Sequence, residues 1–320
     1  MRENALVLRS ASERAERMML VVRDLKTKAG LATKDLRAPE AMLGEEWSPF
    51  TTTLGSREAK ELAANPHYAA VVLQMMIDAE TRPGDTVAVN ISGSFPSLAI
   101  STLAALEEYG AEYLLVSSIG ASSFGANQPM ATWADMEERL YRGGMIRHRS
   151  RFLTFGGDDD NGGGIDDEGK KMIRQAAMRN GMIVEVPGSL DDAIALRETL
   201  FVNAGARLLI NIGGNHAALG NCGHAERFPN GLQLAYAACA DEQRGLLQRM
   251  AGRGLPVVHL LNIRDLSARY RLSADTRWES QGIYYEKRPV LAVLIPLLII
   301  VAGTVGAVSR LPLKRSEPRA

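Results

Sequence analysis

Short apolar runs and stretches of helical periodicity alternate through the middle of the chain. The runs are rich in Val, Ile and Leu, which favours buried strands. We predict strands at 86–91, 112–120, 151–157, 182–188, 206–214 and 256–263. Between the runs, apolar residues recur at the spacing of one helix face. We predict helices at 67–80, 96–109, 132–144, 166–181, 189–205 and 241–254.

The predicted helices begin at residues that suit helix N-termini. Pro96 is favoured in a first turn because its missing N–H would have no partner there. Asn65 and Pro66 form a similar opening pair for the first of these helices. Side chains that can accept a hydrogen bond from the first turn supply the other candidate caps, which are Thr132, Asp166 or Asp167, and Ser189. The alternation predicts an α/β fold with a doubly wound, mainly parallel sheet in three Rossmann-like layers.

The segments that follow the predicted strands share an unusual composition, being richer in Gly, Ser, Asn, Asp and His than the segments that precede them. They are residues 92–94, 120–129, 156–164, 213–224 and 264–265. Ligands of open parallel sheets bind beyond the carboxyl ends of the strands. We therefore expect the chemistry of this protein along one rim of the sheet.

The two ends of the chain differ from its middle. Residues 290–308 carry no charge, and this length is close to the about 20 residues that a helix needs to cross a bilayer. We predict one transmembrane helix there and a basic tail at 309–320. Residues 1–40 mix apolar positions with Arg and Glu, which predicts an amphipathic N-terminal helical segment. Residues 41–285 are left as the α/β globular domain.

Charge and cysteine content narrow the classes of function. Lys plus Arg equals Asp plus Glu, at 37 each, so no net field attracts nucleic acid, and we expect no nucleic-acid partner. Hydrophobic residues make up 46% of the chain, which is typical of a globular protein. Cys222 and Cys239 make neither a metal cluster nor a disulfide framework. We interpret them as two buried thiols, with a single disulfide as the alternative.

The stretch "NISGSFPSL" places Ser92, Gly93 and Ser94 between a predicted strand and a predicted helix. Free N–H groups and the helix dipole at such a turn favour an anion, and glycine allows close approach. Three interpretations stay open: a simple helix cap, a carboxylate or anion site, and a serine nucleophile. The nucleophile pattern G-x-S-x-G and the dinucleotide pattern G-x-G-x-x-G are both absent from this turn.

Three further groups carry candidate chemistry. Asp158 and Asp160, in an acidic glycine-rich loop, are candidate ligands for a divalent cation, with a solvated loop as the alternative. His216 follows a buried strand and is a candidate general base, whereas His259 lies inside an apolar run and is interpreted as a core residue. Glu45 is a candidate acid–base group within residues 43–56. Its segment also holds three threonines, and we predict a lid or a cleft wall there.

Four stretches together resemble the poly-γ-glutamate system protein family. They are "GEEWSPFTTTLGSREAKELAANPHYAAVV", "GDTVAVNISGSFPSLAI", "SSIGASSFGANQPMATWADMEERL" and "PVVHLLNIRDLSARY". The resemblance spans about residues 12–285. Members are bacterial membrane proteins associated with poly-γ-glutamate synthesis and export, and they typically begin with an apolar span that this sequence does not show. The resemblance implies a system, a membrane location and a polyanionic product, and it carries over no catalytic residue.

Together, the resemblance and the rim residues predict a membrane-anchored accessory protein of poly-γ-glutamate synthesis or export, with a cleft for a carboxylate or polyanionic ligand. Expected partners are the membrane components of that system, the glutamate polymer or a glutamate-like small molecule, and the lipid bilayer. The basic tail and the family topology favour an extracytoplasmic domain at the cell membrane. The alternatives are a hydrolase or transferase at a γ-glutamyl amide or phosphate, and a structural partner of the synthase complex.

Candidate residues follow from these expectations. The candidate catalytic residues are Ser94, His216 and Glu45. The candidate ligand-binding residues are Ser92, Gly93, Ser94, Ser122, Ser123, Asn127, Gly213, Gly214 and Asn215. A divalent cation at Asp158 and Asp160 is the one cofactor that the residues suggest.

Overall fold

A computed structural model describes residues 3–31, 35, 38–221, 228–235, 244–273 and 276–285 of the 320-residue chain. Its strands are β1 (Thr86–Ser92), β2 (Glu112–Ser118), β3 (Asn127–Gln128), β4 (Ala131–Thr132), β5 (Leu153–Thr154), β6 (Leu208–Ile212), β7 (Gly231–Gln233) and β8 (Val257–Leu260). Its helices are α1 (Ala5–Lys28), α2 (Arg57–Ala63), α3 (Tyr68–Asp78), α4 (Pro96–Tyr109), α5 (Trp133–Arg142), α6 (Asp167–Arg179), α7 (Leu190–Asn203), α8 (His216–Leu219), α9 (Leu246–Gly252) and α10 (Ile263–Tyr270). Short 3-10 helices lie at Pro39–Met42, Trp278–Ser280 and Gly282–Tyr284.

Six of the strands form one sheet in the order β5-β2-β1-β6-β8-β7. All neighbouring strands run parallel except β7, which pairs antiparallel with β8 at one edge. Strands β3 and β4 form a separate antiparallel pair. The predicted α/β fold with a mainly parallel sheet is confirmed. The antiparallel edge strand and the small hairpin were not predicted.

Alternation along the strands sends side chains to two apolar clusters. Val87, Val89 and Ile91 of β1 belong to the cluster that includes buried residues of α1, α3 and α4. Ala88 points to the other face and joins a cluster with residues of α7, α8 and α9. Burial of parallel strands on both faces explains why β1 and β6 carry apolar residues on both of their faces.

Local signals placed the helix boundaries well. The Thr132 hydroxyl accepts from the N–H of Asp135, whose carboxylate bonds back to the Thr132 N–H to complete a capping box at α5. Asp166 caps α6 by accepting from the Gly169 N–H, and Ser189 caps α7 by accepting from the Asp192 N–H. The predicted caps at Thr132, Asp166 and Ser189 are confirmed, with Asp166 rather than Asp167 at α6. The prediction that Asn65 caps α3 is wrong, because His67 occupies the N-cap position and no side chain accepts a hydrogen bond there. Asn65 Oδ1 instead accepts from the His67 N–H at 2.9 Å, in the turn before the helix.

Two predicted strands are much shorter than expected. Residues 151–157 yield only the two-residue strand β5, and residues 182–188 make a single bridge between Val184 and Leu153. Met182 and Val184 pack against the apolar core, but Ile183 and Val186 are 65% and 50% exposed. With only one of its faces covered, this outer edge does not extend the ladder.

The N-terminal amphipathic stretch forms α1, whose apolar residues pack against α3 and α4. Within the described residues, no helix is both long enough and apolar enough to cross a membrane. The predicted membrane helix at 290–308, the basic tail at 309–320, and both cysteines lie outside the described residues.

Candidate functional site

A cleft of about 570 Å³ lies at the carboxyl ends of the parallel strands. Its lining comes from four of the five rim segments and from residues 52–53. The lining residues are Thr52, Thr53, Ser92, Ser94, Gly120, Gly156, Gly157, Asp158, Gly214, Asn215, His216, Leu219, Gly220 and Asn221. The fifth rim segment does not line the cleft. Its Arg264 pairs with Glu58 and its Asp265 with Arg269.

Sheet topology explains the position of the cleft. The chain runs from β1 to its neighbour β2 on one side, and later returns to β6 on the other side of β1. The loops after β1 and β6 therefore diverge, and they leave a crevice of the kind in which α/β sheets bind ligands. Ser92 and Ser94 follow β1, and Gly214 to His216 follow β6.

The Ser-Gly-Ser turn after β1 is built around the Ser94 hydroxyl. Ser92 Oγ accepts from the Ser94 N–H at 3.3 Å and donates to Ser94 Oγ at 3.0 Å. The backbone N–H of Ser122 also donates to Ser94 Oγ, at 3.0 Å. A hydroxyl has two acceptor positions and one proton. Both acceptor positions of Ser94 are occupied, so its proton is the group left to donate toward the cleft.

Neither serine of this turn caps α4. Phe95 occupies the N-cap position, and no side chain accepts a hydrogen bond there. The simple-cap interpretation of Ser92 and Ser94 is therefore wrong. Gly93 has a steric role, because a Cβ at this position would lie 2.5 Å from the Ile119 carbonyl oxygen.

A buried cation, Lys60 of α2, lies directly behind this turn. Its ammonium group donates to the Ser94 carbonyl and, at 2.9 Å, to Ser122 Oγ. It also lies 3.5 Å from the ring centroid of Phe95. Burial, which leaves the residue 4% exposed, lowers the pKa of Lys60 to about 7.

No carboxylate compensates this charge among the described residues. The two glutamates nearest to Lys60 in sequence pair elsewhere, Glu58 with Arg264 and Glu61 with Arg57. Sequence reasoning missed Lys60. The available signal was its spacing from Ala63, three residues along the buried side of α2.

His216 lines the cleft, but both of its ring nitrogens have partners. Nδ1 accepts from the Asp159 backbone N–H at 2.8 Å, which assigns the ring proton to Nε2. Nε2 lies 2.6 Å from the amide oxygen of Asn221 and donates to it. The lone pair that a general base needs is therefore occupied.

Glu45 lies outside the cleft, so the three candidate catalytic residues do not converge. Its carboxylate accepts from Gln128 Nε2 at 2.8 Å. Its backbone N–H and carbonyl bond to the side-chain amide of Asn127 at 2.9 Å each. Asn127 also donates to Thr51 Oγ1, so this buried amide fastens residues 43–56 to the core. Thr52 and Thr53 of that segment line the cleft, which makes it a cleft wall.

The remaining ligand-binding candidates divide between the cleft surface and the layer behind it. Gly214 and Asn215 line the cleft. Ser122 is buried, and its hydroxyl accepts from the Lys60 ammonium. Ser123 is also buried, and its hydroxyl has no hydrogen bond within the described residues. Gly213 has a φ of +84°, and a Cβ there would lie 2.9 Å from Ser92 Cβ. Its role is therefore backbone geometry at the close approach of the two loops.

The structure separates the two candidate metal ligands. Asp158 is exposed and lines the cleft, and its carboxylate has no bonded partner among the described residues. Asp160 is fully buried, with its carboxylate 2.6 Å from Arg197 Nη2 and 2.7 Å from Ser118 Oγ. The described residues contain no group of three or more His, Cys, Asp or Glu placed to share a metal ion.

Arg197 of α7 is the centre of a buried polar network below the cleft. It donates to Asn90 at 2.9 Å, to the Ala193 carbonyl at 2.9 Å and to Thr154 at 3.1 Å. The side chains at 90, 211 and 259 lie in register on β1, β6 and β8 and point to the face that α7 covers. Sequence reasoning missed Arg197, although it shares a helix face with Ala193 and Phe201.

His259 completes this network as a core residue, as predicted. Its Nδ1 lies 3.0 Å from the amide nitrogen of Asn211, which donates to it. Burial lowers the pKa of His259 to about 4, so the ring is neutral at physiological pH. Asn211 in turn accepts from Asn90 at 2.7 Å. The floor of the cleft is thus fixed by hydrogen bonds that are satisfied without a ligand.

The cleft therefore combines a hydroxyl donor backed by a buried cation with one free carboxylate, Asp158. None of the described residues that line it is Lys or Arg. Such a site suits a small ligand whose acceptor group meets Ser94 and whose charge is complemented by Lys60. Compared with family models, with curated proteins and with solved structures, the chain gives no match.

Proposed function

We propose that this protein is a membrane-anchored accessory component of poly-γ-glutamate synthesis or export, and that its cleft binds the carboxylate of a glutamate-type ligand. The three parts of this proposal rest on different observations. The binding chemistry rests on the residues around Ser94. Membership of the system rests on the sequence resemblance, and the anchor rests on the uncharged residues 290–308.

One observation carries the binding chemistry. The Ser94 hydroxyl has both acceptor positions filled and lines the cleft, with the Lys60 ammonium behind its carbonyl. A donor of fixed direction next to a buried charge without a carboxylate partner is suited to an anionic acceptor. A bound carboxylate also supplies the counter-charge that Lys60 lacks within the described residues.

Binding is favoured over hydrolysis or group transfer. A serine nucleophile needs a base within hydrogen-bond reach of its Oγ. Ser94 Oγ is instead surrounded by the donors Ser92 and Ser122, and Lys60 reaches the Ser94 carbonyl rather than its hydroxyl. The His216 ring has no free lone pair, and Glu45 lies outside the cleft.

The binding proposal is tested by calorimetric titration of the full chain, in mild detergent, with a γ-linked glutamate trimer. Wild-type protein is expected to bind, and Ser94→Ala to bind at least about tenfold more weakly, because a charge-assisted hydrogen bond is lost. Ser101→Ala is the matched control. Ser101 lies on α4, the helix that follows the turn, and it is fully buried with no hydrogen bond to its hydroxyl within the described residues. Absence of binding by wild-type protein, or equal binding by Ser94→Ala, would overturn the proposal.

System membership has a separate test in a polymer-producing bacterium that carries this gene. Deletion of the gene is expected to reduce the yield or export of poly-γ-glutamate, and Ser94→Ala is expected to reproduce part of that loss. If Ser94→Ala leaves the yield unchanged while deletion of residues 290–308 abolishes it, the protein is a structural partner of the synthase complex. An unchanged yield in the deletion strain would remove the assignment to this system.

A further inference from the structure

The lining of the cleft has one part that favours an anionic group and another part that favours a cationic group. At Ser94 it presents a hydroxyl donor with a buried ammonium group behind it. Asp158, on the loop after β5, presents an exposed carboxylate to the same cleft. A ligand that satisfies both parts carries an anionic and a cationic group within the span of this one cleft.

Asp158 is the one carboxylate of its loop that lines this cleft within the described residues. Asp159 lines a neighbouring cavity instead, and the Asp160 carboxylate is paired with Arg197 in the core. The backbone of Asp158 exchanges hydrogen bonds with Gly163, which donates at 3.2 Å and accepts at 2.9 Å. Its carboxylate is therefore held on a fastened loop but carries no partner of its own.

The loop conformation has a specific cause. Asp159 and Asp160 have φ values of +53° and +57°, the left-handed region that Asp tolerates better than most residues. The buried Asp160–Arg197 pair holds this conformation from below, and the bond from the Asp159 N–H to His216 holds it from the side. Asp158 is consequently fixed at the cleft before any ligand arrives, which reduces the ordering cost of binding.

We infer that the cleft recognises an α-ammonium group beside an α-carboxylate, as at the free amino end of a γ-linked glutamate chain, rather than the interior of the polymer. This inference rests on the proposed function. In a γ-linked chain every residue keeps its α-carboxylate, but each α-nitrogen except the first is a neutral amide. Only the amino-terminal unit, or a free glutamate-type amino acid, offers an ammonium to Asp158 and a carboxylate to Ser94.

The charges of the lining also disfavour the polymer interior. Consecutive carboxylates along a cleft whose described lining has no Lys or Arg would bring one of them against Asp158. Like charges at close range cost binding energy, whereas an ammonium at the same place gains it. The cleft therefore selects chain ends, and its affinity does not grow with the number of residues in the polymer.

The test compares two γ-linked glutamate trimers that differ only at the amino end, one free and one N-acetylated. Calorimetric titration of the full chain in mild detergent is expected to give at least about tenfold weaker binding for the acetylated trimer. An N-methylated trimer, which adds bulk but keeps the positive charge, is expected to bind within about threefold of the free trimer. Free glutamate and a γ-linked glutamate decamer are titrated as the shortest and the longest ligand of the comparison.

Asp158→Asn is expected to bind the free and acetylated trimers within about twofold of each other, because the group that tells them apart is gone. Asp167→Asn is the matched control, since Asp167 is an exposed acid at the start of α6 and does not line the cleft. It is expected to keep the tenfold preference.

Three results would overturn the inference. Equal binding of both trimers by wild-type protein would leave the carboxylate site standing but remove selection of the amino end. Tighter binding of the decamer than of the trimer, with a steep loss in salt, would indicate recognition of the polymer interior. If neither trimer binds, the proposed function fails and the inference fails with it.

Discussion

Two buried cations on opposite sides of the sheet show how differently a protein can treat a charge. Arg197 reaches from α7 to the layer below the cleft, and Lys60 reaches from α2 to the Ser-Gly-Ser turn. Both are almost completely buried. Arg197 has a carboxylate at 2.6 Å and neutral acceptors around the rest of its guanidinium group. Lys60 has only a carbonyl, a hydroxyl and an aromatic ring.

The difference separates a structural charge from a charge that awaits a partner. Arg197 and Asp160 complete each other, so their role is to fasten the Asp158 loop and the strand ends. Lys60 lacks a compensating carboxylate within the described residues. It lies directly behind Ser94, which lines the open cleft. A buried cation that has no counter-charge and lies next to a cavity is the kind of perturbed group that marks a binding site.

The largest expected effect concerns the compensated cation. Arg197→Met is expected to lower the free energy of unfolding by about 3–5 kcal/mol, because it leaves the Asp160 carboxylate buried without its cation. Urea denaturation measures the change. The double variant Arg197→Met with Asp160→Asn is expected to recover part of the loss. A single variant as stable as the wild type would show that this pair does not fasten the core.

A buried carboxylate that does not line the cleft sharpens the comparison. Glu137 of α5 is fully buried, and burial raises its pKa to about 7 despite hydrogen bonds from Ser150 and the nearby Arg149. The folded state therefore binds more protons than the unfolded chain between pH 4.5 and 7. The stability from this group is complete below pH 4.5 and is lost as the pH rises through 7.

Glu137→Gln removes that dependence while keeping the shape of the side chain. Its advantage in unfolding free energy over the wild type is expected to grow by on the order of 3 kcal/mol between pH 4.5 and 8. Urea denaturation at a series of pH values measures it. Since Glu137 does not line the cleft, ligand binding is expected to be unchanged. A constant difference across the series would show that Glu137 is ionised throughout.

The uncompensated cation is expected to give the opposite trend. Burial lowers the pKa of Lys60 from 10.5 to about 7, so the unfolded chain binds more protons between these values. The stability from the neutral amine is complete above pH 10.5 and is lost as the pH falls through 7. Lys60→Met is therefore expected to gain stability relative to the wild type as the pH falls from 10.5 to 7. It is also expected to weaken carboxylate binding by about tenfold.

If Lys60→Met is less stable than the wild type at pH 7, this description of Lys60 is contradicted. It is also contradicted if Lys60→Met remains folded and keeps its affinity for the γ-linked trimer. Ser101→Ala alters a buried hydroxyl on α4 and has the smallest expected effect. Its stability and its affinity for the γ-linked trimer are expected to equal those of the wild type within experimental error.

Local patterns predicted most of the fold. Caps such as Thr132 and Ser189 and the apolar strands β1 and β6 depend on residues close in sequence, and these predictions are confirmed. The rule for parallel sheets also placed the polar rim. The strand prediction failed for residues 182–188, where Ile183 and Val186 stay exposed, because packing rather than propensity decides whether such a stretch pairs.

The electrostatics of the site was not predictable in the same way. Lys60 and Arg197 read as ordinary charged residues of amphipathic helices, since only the packed structure shows what surrounds their side chains. Their spacing from buried neighbours, such as Ala63 and Phe201, was the one available signal. The occupied lone pair of His216 depends on a loop residue 57 positions away, which no local pattern encodes.

The most direct test of the central claim is the proton balance of ligand binding at pH 8. An anion bound at Ser94 raises the pKa of Lys60, so binding must take up protons. Calorimetric titration with the free γ-linked trimer, repeated in buffers of different ionisation enthalpy, measures that uptake. We expect the wild type to take up a substantial fraction of a proton per ligand more than Lys60→Met at saturation. Equal uptake by the two proteins would contradict the claim that Lys60 supplies the charge for this site.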